Sequence, residues 1–496
     1  MQRRTILKGA VSAAVLTGSG LTHGFSDAPQ ESYDVVIVGS GAAGLTAAIS
    51  AREAGARRVA VLEKFAMVGG HSILSSGSVS VALRNPKSAD PERNLRRMVE
   101  EMSRVGGAQA RPELIRTLVE ESEDVVRWLG AMGVRWNRRL FRAVGGLSVN
   151  SISTGNPQAG YDYIQVLMNR ARALGVDFLL STRAVGLATR NNRVTGVYAL
   201  RSTSVPQSGT MPEGIFPEGE AKLISAYGII LATGGFTANP AMRTLYDASI
   251  PASLPTTANP LKLGLDGATG DGILMAQAVG AELTGMQYIQ IIPYSGGRLL
   301  DHVGGEIWIN DAGRRFVYEG SPFRKLRLAI ADDDGFWAIS DSQTSKGGSI
   351  ATKLLQGTVR KAETIEELAG SIHVNATVLR QTIERWNTFV ANGYDADFDV
   401  PITDGSTIRV PPFFYGWESW SVHYTCGGIA INRQAEVLRS TGDVIEGLYA
   451  AGETTGGIHG EDRLGGNSLI DCFVFGMIAG RAAASSALEA GRCGVI

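Results

Sequence analysis

Residues 456–467 read GGIHGEDRLGGN, setting His459, Glu461, Asp462 and Arg463 among glycines. Arg463 lies between two glycine pairs and could do one of two things there. It could close a surface loop through a salt bridge to Glu461 or Asp462. Alternatively, the glycines could bring the backbone close to a bound group that Arg463 then grips. A planar guanidinium can hold a carboxylate through two parallel hydrogen bonds. Near the other end, Gly39, Gly41 and Gly44 form G-S-G-A-A-G. The first glycine permits a tight turn, the second lets backbone approach a pyrophosphate, and the third lets helix pack closely on strand.

Elements must hold these residues. Residues 33–64 read as a buried strand (35–38), a glycine turn, a helix (45–54) closed by Gly55, and a second strand (59–62). That is a βαβ unit of about 30 residues. The helix N-terminus, with Ala42 and Ala43, offers N–H groups to phosphates. Glu63 follows Gly44 by 19 residues and ends the second strand, where a carboxylate can accept hydrogen bonds from a ribose. Strand, turn, helix, strand and acid are all in register for a dinucleotide.

The chain has 496 residues, 44% hydrophobic and 19% charged, an ordinary globular composition with material for two or three domains. A formal charge of −1 gives no reason to expect nucleic acid. Cys426, Cys472 and Cys493 form no CxxC or CxxCH, which excludes covalent c-type haem and disfavours zinc and iron–sulfur centres. Arg3 and Arg4 precede a short apolar run, a pattern like a twin-arginine signal over residues 1–28, and predict export to the periplasm. No later run reaches 18 apolar residues, so the mature protein is not expected to be an integral membrane protein.

Further along, 93–133 and 159–175 read as helices, 176–182 and 194–200 as strands, 202–220 as an exposed loop, and YGIILATGGF as a buried strand running into a glycine turn. From about 285 to 420 the character changes to short strands (EIWIND, RRFVYE), an acidic turn at Asp332 to Asp334, and a helix through ATVLRQTIERWNTFVANG. The expected organisation is residues 33–284, an inserted unit at 285–420, and a return to the first domain at 421–496.

Taken together, GSGAAGLTAA, EK with VGGHSILSSGS, LATGGF, TGDG, GMQYIQ, NDAGRRFVYE, WNTFVANGYDADF, HYTCGG, AAGETTGGIHG and RLGGN resemble the fumarate reductase/succinate dehydrogenase flavoprotein family, particularly its soluble periplasmic branch. The resemblance runs from about Tyr33 to the C-terminus. It implies an α/β fold: a discontinuous, Rossmann-like FAD-binding domain of the two-dinucleotide-binding type, with an inserted α+β capping domain. It implies FAD held by Gly39, Gly41, Ala42, Ala43, Gly44, Glu63 and Lys64, by Gly70, His71, Ser72, Ser76 and Gly77, and by Ala232, Thr233, Gly234 and Asp271. Gly452, Glu453, Asn467, Ser468 and Leu469 complete the set, with Glu453 reaching the ribityl chain. Arg463 and His423 match the family's carboxylate-binding arginine and histidine. In membrane-bound relatives a histidine in the HSILSS region carries FAD covalently; His71 is read as one residue out of register, and non-covalent FAD is expected.

Two departures bear on the substrate. Where fumarate reductases have HPT after IQ, this chain has YIQIIPYS, which puts Ile292 at the second carboxylate-binding histidine and Tyr294 at the threonine. An apolar Ile292 cannot hydrogen-bond a carboxylate, and leaving that charge unpaired costs several kcal/mol. A small 2-enoate with one carboxylate is therefore expected. The family's proton-donating arginine falls by direct counting on Phe323, and a one-residue slip makes it Arg324; Arg327, His302 and Tyr294 are reserves. Without a CxxCH, electrons are expected from a separate periplasmic cytochrome c or a quinol-linked donor. Competing readings are a fumarate reductase proper, a 3-ketosteroid-type dehydrogenase acting on an uncharged ketone, and a flavin electron carrier that would need neither His423 nor Arg463.

Overall fold

The structure is a computed structural model that describes residues 29–137, 140, 151–153, 159–202, 219–259, 266–292, 303–321, 325–326, 329, 335–343, 349–402 and 405–492. The signal-like segment 1–28, most of the 202–220 loop and the acidic turn at Asp332 to Asp334 lie outside these residues, as do Tyr294, His302, Phe323, Arg324 and Arg327.

Strand Glu31–Val38 lies at the centre of an eight-stranded sheet. Parallel neighbours flank it, Val59–Leu62 on one side and Gly219–Leu231 on the other. Asp177–Leu179 pairs parallel beyond the first, and Val444–Ala450 pairs parallel beyond the second. Val35, Val36, Ile37 and Val38 are all buried without alternation, because helices and neighbouring chain cover both faces of the sheet. A hairpin, Thr182–Arg190 with Arg193–Ser202, joins antiparallel to the long Gly219–Leu231 strand. Its first arm was not read in the sequence.

Helix Asn467–Arg492 is long and apolar enough by composition to cross a membrane, yet 67% of its most apolar window is buried inside the protein. It packs on helix Ala42–Glu53, and glycines set how closely. A Cβ on Gly476 would lie 2.6 Å from the Ala43 carbonyl oxygen, and one on Gly480 would lie 2.3 Å from that of Ala47. This helix ties the C-terminal end of the chain to the glycine turn at its beginning.

A second apolar core gathers Ile307, Ile309, Ile339, Leu379, Ile383 and Trp386. It lies between helices Ile365–Ser371 and Ala376–Asn392 and a four-stranded antiparallel sheet ordered Ile307–Ile309, Phe336–Asp341, Phe413–Glu418, Arg360–Ala362. The long helix starts at an Asn375 N-cap and ends at a left-handed Gly393 after its last turn. RRFVYE corrects the sequence reading: it is no strand and contributes only an isolated bridge, Ile309 to Arg315. The cause is Arg315, whose buried guanidinium bonds Glu319 (2.7 Å) and Asp395 (2.8 Å) and stacks on Trp386 and Phe398. Folding the chain back from 315 to 319 makes that pair, and an extended strand would break it.

Candidate active site

The carboxyl ends of the parallel strands open into a cleft of about 860 Å³. Gly39 turns there with φ +107°, and a Cβ on it would lie 2.2 Å from the Ala232 carbonyl oxygen. A Cβ on Gly44 would lie 1.9 Å from the Gly39 carbonyl oxygen, so helix and turn touch backbone to backbone. Gly41 has an ordinary φ of −69° and stands against open space, with nothing nearer its Cβ position than Ser72 Oγ at 3.5 Å. In the helix that follows, Gly41 supplies no side-chain cap, the Ala42 N–H donates to the Ser72 hydroxyl at 3.1 Å, and the first turn holds no acid, so its positive end suits an anion.

Glu63 closes this turn from the second strand. It accepts from the Ser40 N–H at 3.1 Å, the Ser40 hydroxyl at 2.5 Å and the Phe65 N–H at 2.9 Å. A carboxylate offers about four acceptor positions, so one remains for a ribose hydroxyl. Lys64 reaches across to Asp271 (3.0 Å) and Thr269 (2.8 Å), and Arg183 bonds the other Asp271 oxygen at 3.0 Å. Burial pushes the Asp271 carboxyl up, but these two cations outweigh it and hold the group below its usual range. His71 Nε2 meets Asp266 at 2.5 Å, and Thr256 donates to the second Asp266 oxygen at 2.5 Å. Burial opposes both charges of the pair. Their mutual bond prevails, raising the His71 imidazole above its usual value and bringing Asp266 down to about 2.

Glu453 joins this cleft to a second region. Burial raises its carboxyl, against the pull of His71, of Thr425 and of Arg463. It accepts from the Thr425 N–H at 3.0 Å. Thr425 ends strand Ser421–Thr425, which pairs antiparallel with Ile289–Ile292. The register slips between Gln290 and Ile291, so Gln290 faces Tyr424, Ile291 faces Val422, and His423 is the extra residue of a bulge. The bulge re-aims His423, and its Nδ1 meets the Thr257 hydroxyl at 2.9 Å. Thr257 is itself fixed, since its N–H bonds the Val422 carbonyl at 3.0 Å.

Arg463 is 3% exposed. Its guanidinium lies over the Tyr424 ring, 4.9 Å from the centroid, and donates to Gln290 Oε1 at 2.9 Å and to the Leu464 carbonyl at 3.0 Å. The surface salt bridge weighed for Arg463 is therefore excluded by burial, and Asp462 bonds the Arg463 backbone N–H at 3.0 Å. His459 Nε2 meets Asp471 of the C-terminal helix at 3.2 Å, an anchor for the glycine loop.

Most of the residues expected at FAD share the cleft. Gly39, Gly41, Ala42, Ala43, Glu63, Lys64, Gly70, His71, Ser72, Ala232, Thr233, Gly234, Asp271, Gly452 and Glu453 all line it. Gly44 sits behind the turn, and Ser76, Gly77, Asn467, Ser468 and Leu469 lie outside the lining. Asn467 is fully buried, yet neither polar atom of its amide has a partner among the described residues, which suits a residue whose partner is a cofactor. Ile292 is 1% exposed and packs in the main core. The expected catalytic residue Arg324, the substrate residue Tyr294 and the reserves His302 and Arg327 lie outside the described residues. Sequence reasoning missed Arg183, Thr257, Asp266 and Gln290, and took Asp462 only as an alternative salt-bridge partner of Arg463. Gln290 carried a signal as part of GMQYIQ, and Asp462 as part of GGIHGEDRLGGN.

Residues 34–469 match the FAD binding domain family. The chain is 32% identical to the fumarate reductase (cytochrome) of Shewanella frigidimarina, over 92% of this chain and 78% of that one. It is 30% identical to the acrylate reductase flavoprotein subunit of Shewanella woodyi, over 97% of each. The solved open conformation of a flavocytochrome c3 fumarate reductase superposes with a TM-score of 0.68 at 28% identity, over 97% of this chain and 81% of that one. With its glycine turn, anchored acid and cleft at the strand ends, the chain belongs to the fumarate reductase/succinate dehydrogenase flavoprotein family and is a flavin-dependent oxidoreductase acting on carbon–carbon double bonds, with FAD as its cofactor.

Proposed function

We propose that the protein reduces the double bond of a small 2-enoate bearing one carboxylate. FAD, held by the residues that line the cleft, Gly39, Glu63, His71 and Glu453 among them, would supply the hydride chemistry. Arg463 and His423 grip the carboxylate, and their hydrogen bonds strengthen as negative charge develops on it. Burial of Arg463 and its Tyr424 floor keep water from competing for that charge. Thr257 fixes His423 through Nδ1, which sets the orientation of its ring. One observation carries the substrate class: buried Ile292 stands two residues beyond Gln290 on the strand paired with that of His423, and it offers no polar atom to a second carboxylate. The naming of a relative over 97% of each chain as an acrylate reductase subunit supports the reading.

Arg324 is the proposed proton donor. A guanidinium has a pKa above about 12, so it can act only when desolvated and linked to a relay. FAD is held without a covalent bond, with His71 Nε2 engaged by Asp266. The protein is exported to the periplasm, which its Arg3–Arg4 pattern supports, and a separate cytochrome c or quinol-linked donor feeds it. The test is anaerobic oxidation of reduced methyl viologen by the FAD-loaded protein on adding acrylate, methacrylate, cinnamate, urocanate and fumarate in turn. Fast turnover of a monocarboxylic enoate with slow fumarate is expected. Comparable rates for the two would sink the reading of Ile292.

A further inference from the structure

Gln290 is 5% exposed and spends its whole amide on the two residues that follow Glu461. Its Oε1 accepts from Arg463 Nη2 at 2.9 Å. Its Nε2 donates to the Arg463 carbonyl at 2.8 Å and to Asp462 Oδ1 at 2.5 Å. That Asp462 oxygen also accepts from the Arg463 N–H at 3.0 Å. The three side chains and the backbone N–H and carbonyl of Arg463 form a closed, buried ring of hydrogen bonds.

The ring has one chemical sense. An amide's oxygen and nitrogen are near-equal in size, so its orientation is set by partners. With the amide turned over, NH₂ would face a guanidinium that has only donors, and the oxygen would face a carboxylate and a carbonyl that accept. Asp462 and the Arg463 carbonyl, opposite a donor-only guanidinium, together dictate that Gln290 presents its oxygen to Arg463. Gln290 faces Tyr424 across the strand pair, and the Tyr424 ring lies 4.9 Å under the guanidinium carbon. Arg463 is thus held at one edge by Gln290 and from below by Tyr424.

We propose that Gln290 is a positioning residue that fixes the plane of the Arg463 guanidinium before substrate arrives, with Asp462 reinforcing the sense of its amide. This rests on Arg463 being the carboxylate ligand of the proposed function. An arginine already ordered loses little rotamer freedom on binding, whereas a loose one must be ordered by the substrate. The consequence falls on substrate affinity first.

The test compares Gln290→Met, Asp462→Leu, Asp462→Asn and Arg463→Lys as FAD-loaded proteins. Each is read by KM and kcat for acrylate with reduced methyl viologen, by acrylate affinity from the flavin absorbance change, and by flavin content and melting temperature. Gln290→Met keeps the side chain's length but loses all three of the bonds its amide makes to the ring. It is expected to raise KM and the dissociation constant about tenfold, with a smaller change in kcat and unchanged flavin content. Asp462→Leu removes one of the amide's three partners and gives a smaller rise. Asp462→Asn keeps an oxygen acceptor and stays close to wild type, a rescue that a general packing role would not produce. Unchanged acrylate affinity in Gln290→Met, while Arg463→Lys weakens binding, overturns the positioning role alone. If Arg463→Lys also leaves affinity unchanged, the carboxylate reading of Arg463 falls and the inference falls with it.

Discussion

The cofactor cleft and the proposed carboxylate-binding end of the site meet at Glu453, but they are built in opposite ways. The cleft is mostly backbone at the ends of parallel strands, and its shape depends on where side chains are missing: Gly39, Gly41 and Gly44 lie within six consecutive residues. The carboxylate end is mostly side chain. It draws Thr257, Gln290, His423 and Arg463 from four separate segments, and each is held by another. A backbone-built site should fail as a whole when one glycine gains a Cβ. A side-chain-built site should fail by degrees, one contact at a time.

The largest expected effect tests the first half of that contrast. Gly44→Ala places a Cβ where the Gly39 carbonyl oxygen lies 1.9 Å away, and neither backbone can yield without moving helix from strand. The purified protein should carry almost no flavin, read as the flavin-to-protein absorbance ratio. Arg463→Gln should come next: it removes a buried cation but leaves the cleft intact. Full flavin content with kcat/KM for a monocarboxylic enoate lowered about a hundredfold or more is expected. Loss of flavin in this variant would mean that the two regions are not separable.

These regions also differ in how far the sequence exposes them. The glycine turn and Glu63 are legible because their roles follow from local spacing on a strand, a turn and a helix. The parallel strands are legible for the same reason, as short continuous apolar runs. The partners Gln290–Asp462, Thr257–His423 and His71–Asp266 are 172, 166 and 195 residues apart, and no local pattern links them. The bulge that re-aims His423 is a property of two strands in register, which neither strand's sequence carries alone. RRFVYE misled because its β-type composition is overruled by a buried Arg315 that must reach both Glu319 and Asp395. His423 and Arg463 themselves were legible through family resemblance, not through any spacing of their own.

Smaller effects sharpen the contrast. Thr257→Val keeps the shape beside His423 but removes the hydroxyl 2.9 Å from Nδ1. A fall in kcat/KM of about tenfold is expected, without change in flavin content. The smallest effect belongs to His71 and Asp266 and should appear in stability, not turnover. His71 is raised above 6.5 in the folded protein, so its contribution is complete below 6.5 and is lost as pH climbs through the raised value. Asp266 is lowered from 3.8 to about 2, so its contribution is complete above 3.8 and is lost as pH falls toward 2. The melting temperature of the wild type should hold between those limits and fall on either side. In His71→Asn the difference from wild type should be greatest between 3.8 and 6.5 and shrink at higher pH.

The most direct test of a one-carboxylate site is a single turnover. Chemically reduced, FAD-loaded protein is mixed rapidly and without oxygen with acrylate or with fumarate at equal concentration, and the return of oxidised flavin absorbance is followed. Fast reoxidation by acrylate and slow reoxidation by fumarate is the predicted result. Equally fast reoxidation by fumarate would contradict it, because a second carboxylate would then have found a partner that Ile292 cannot provide.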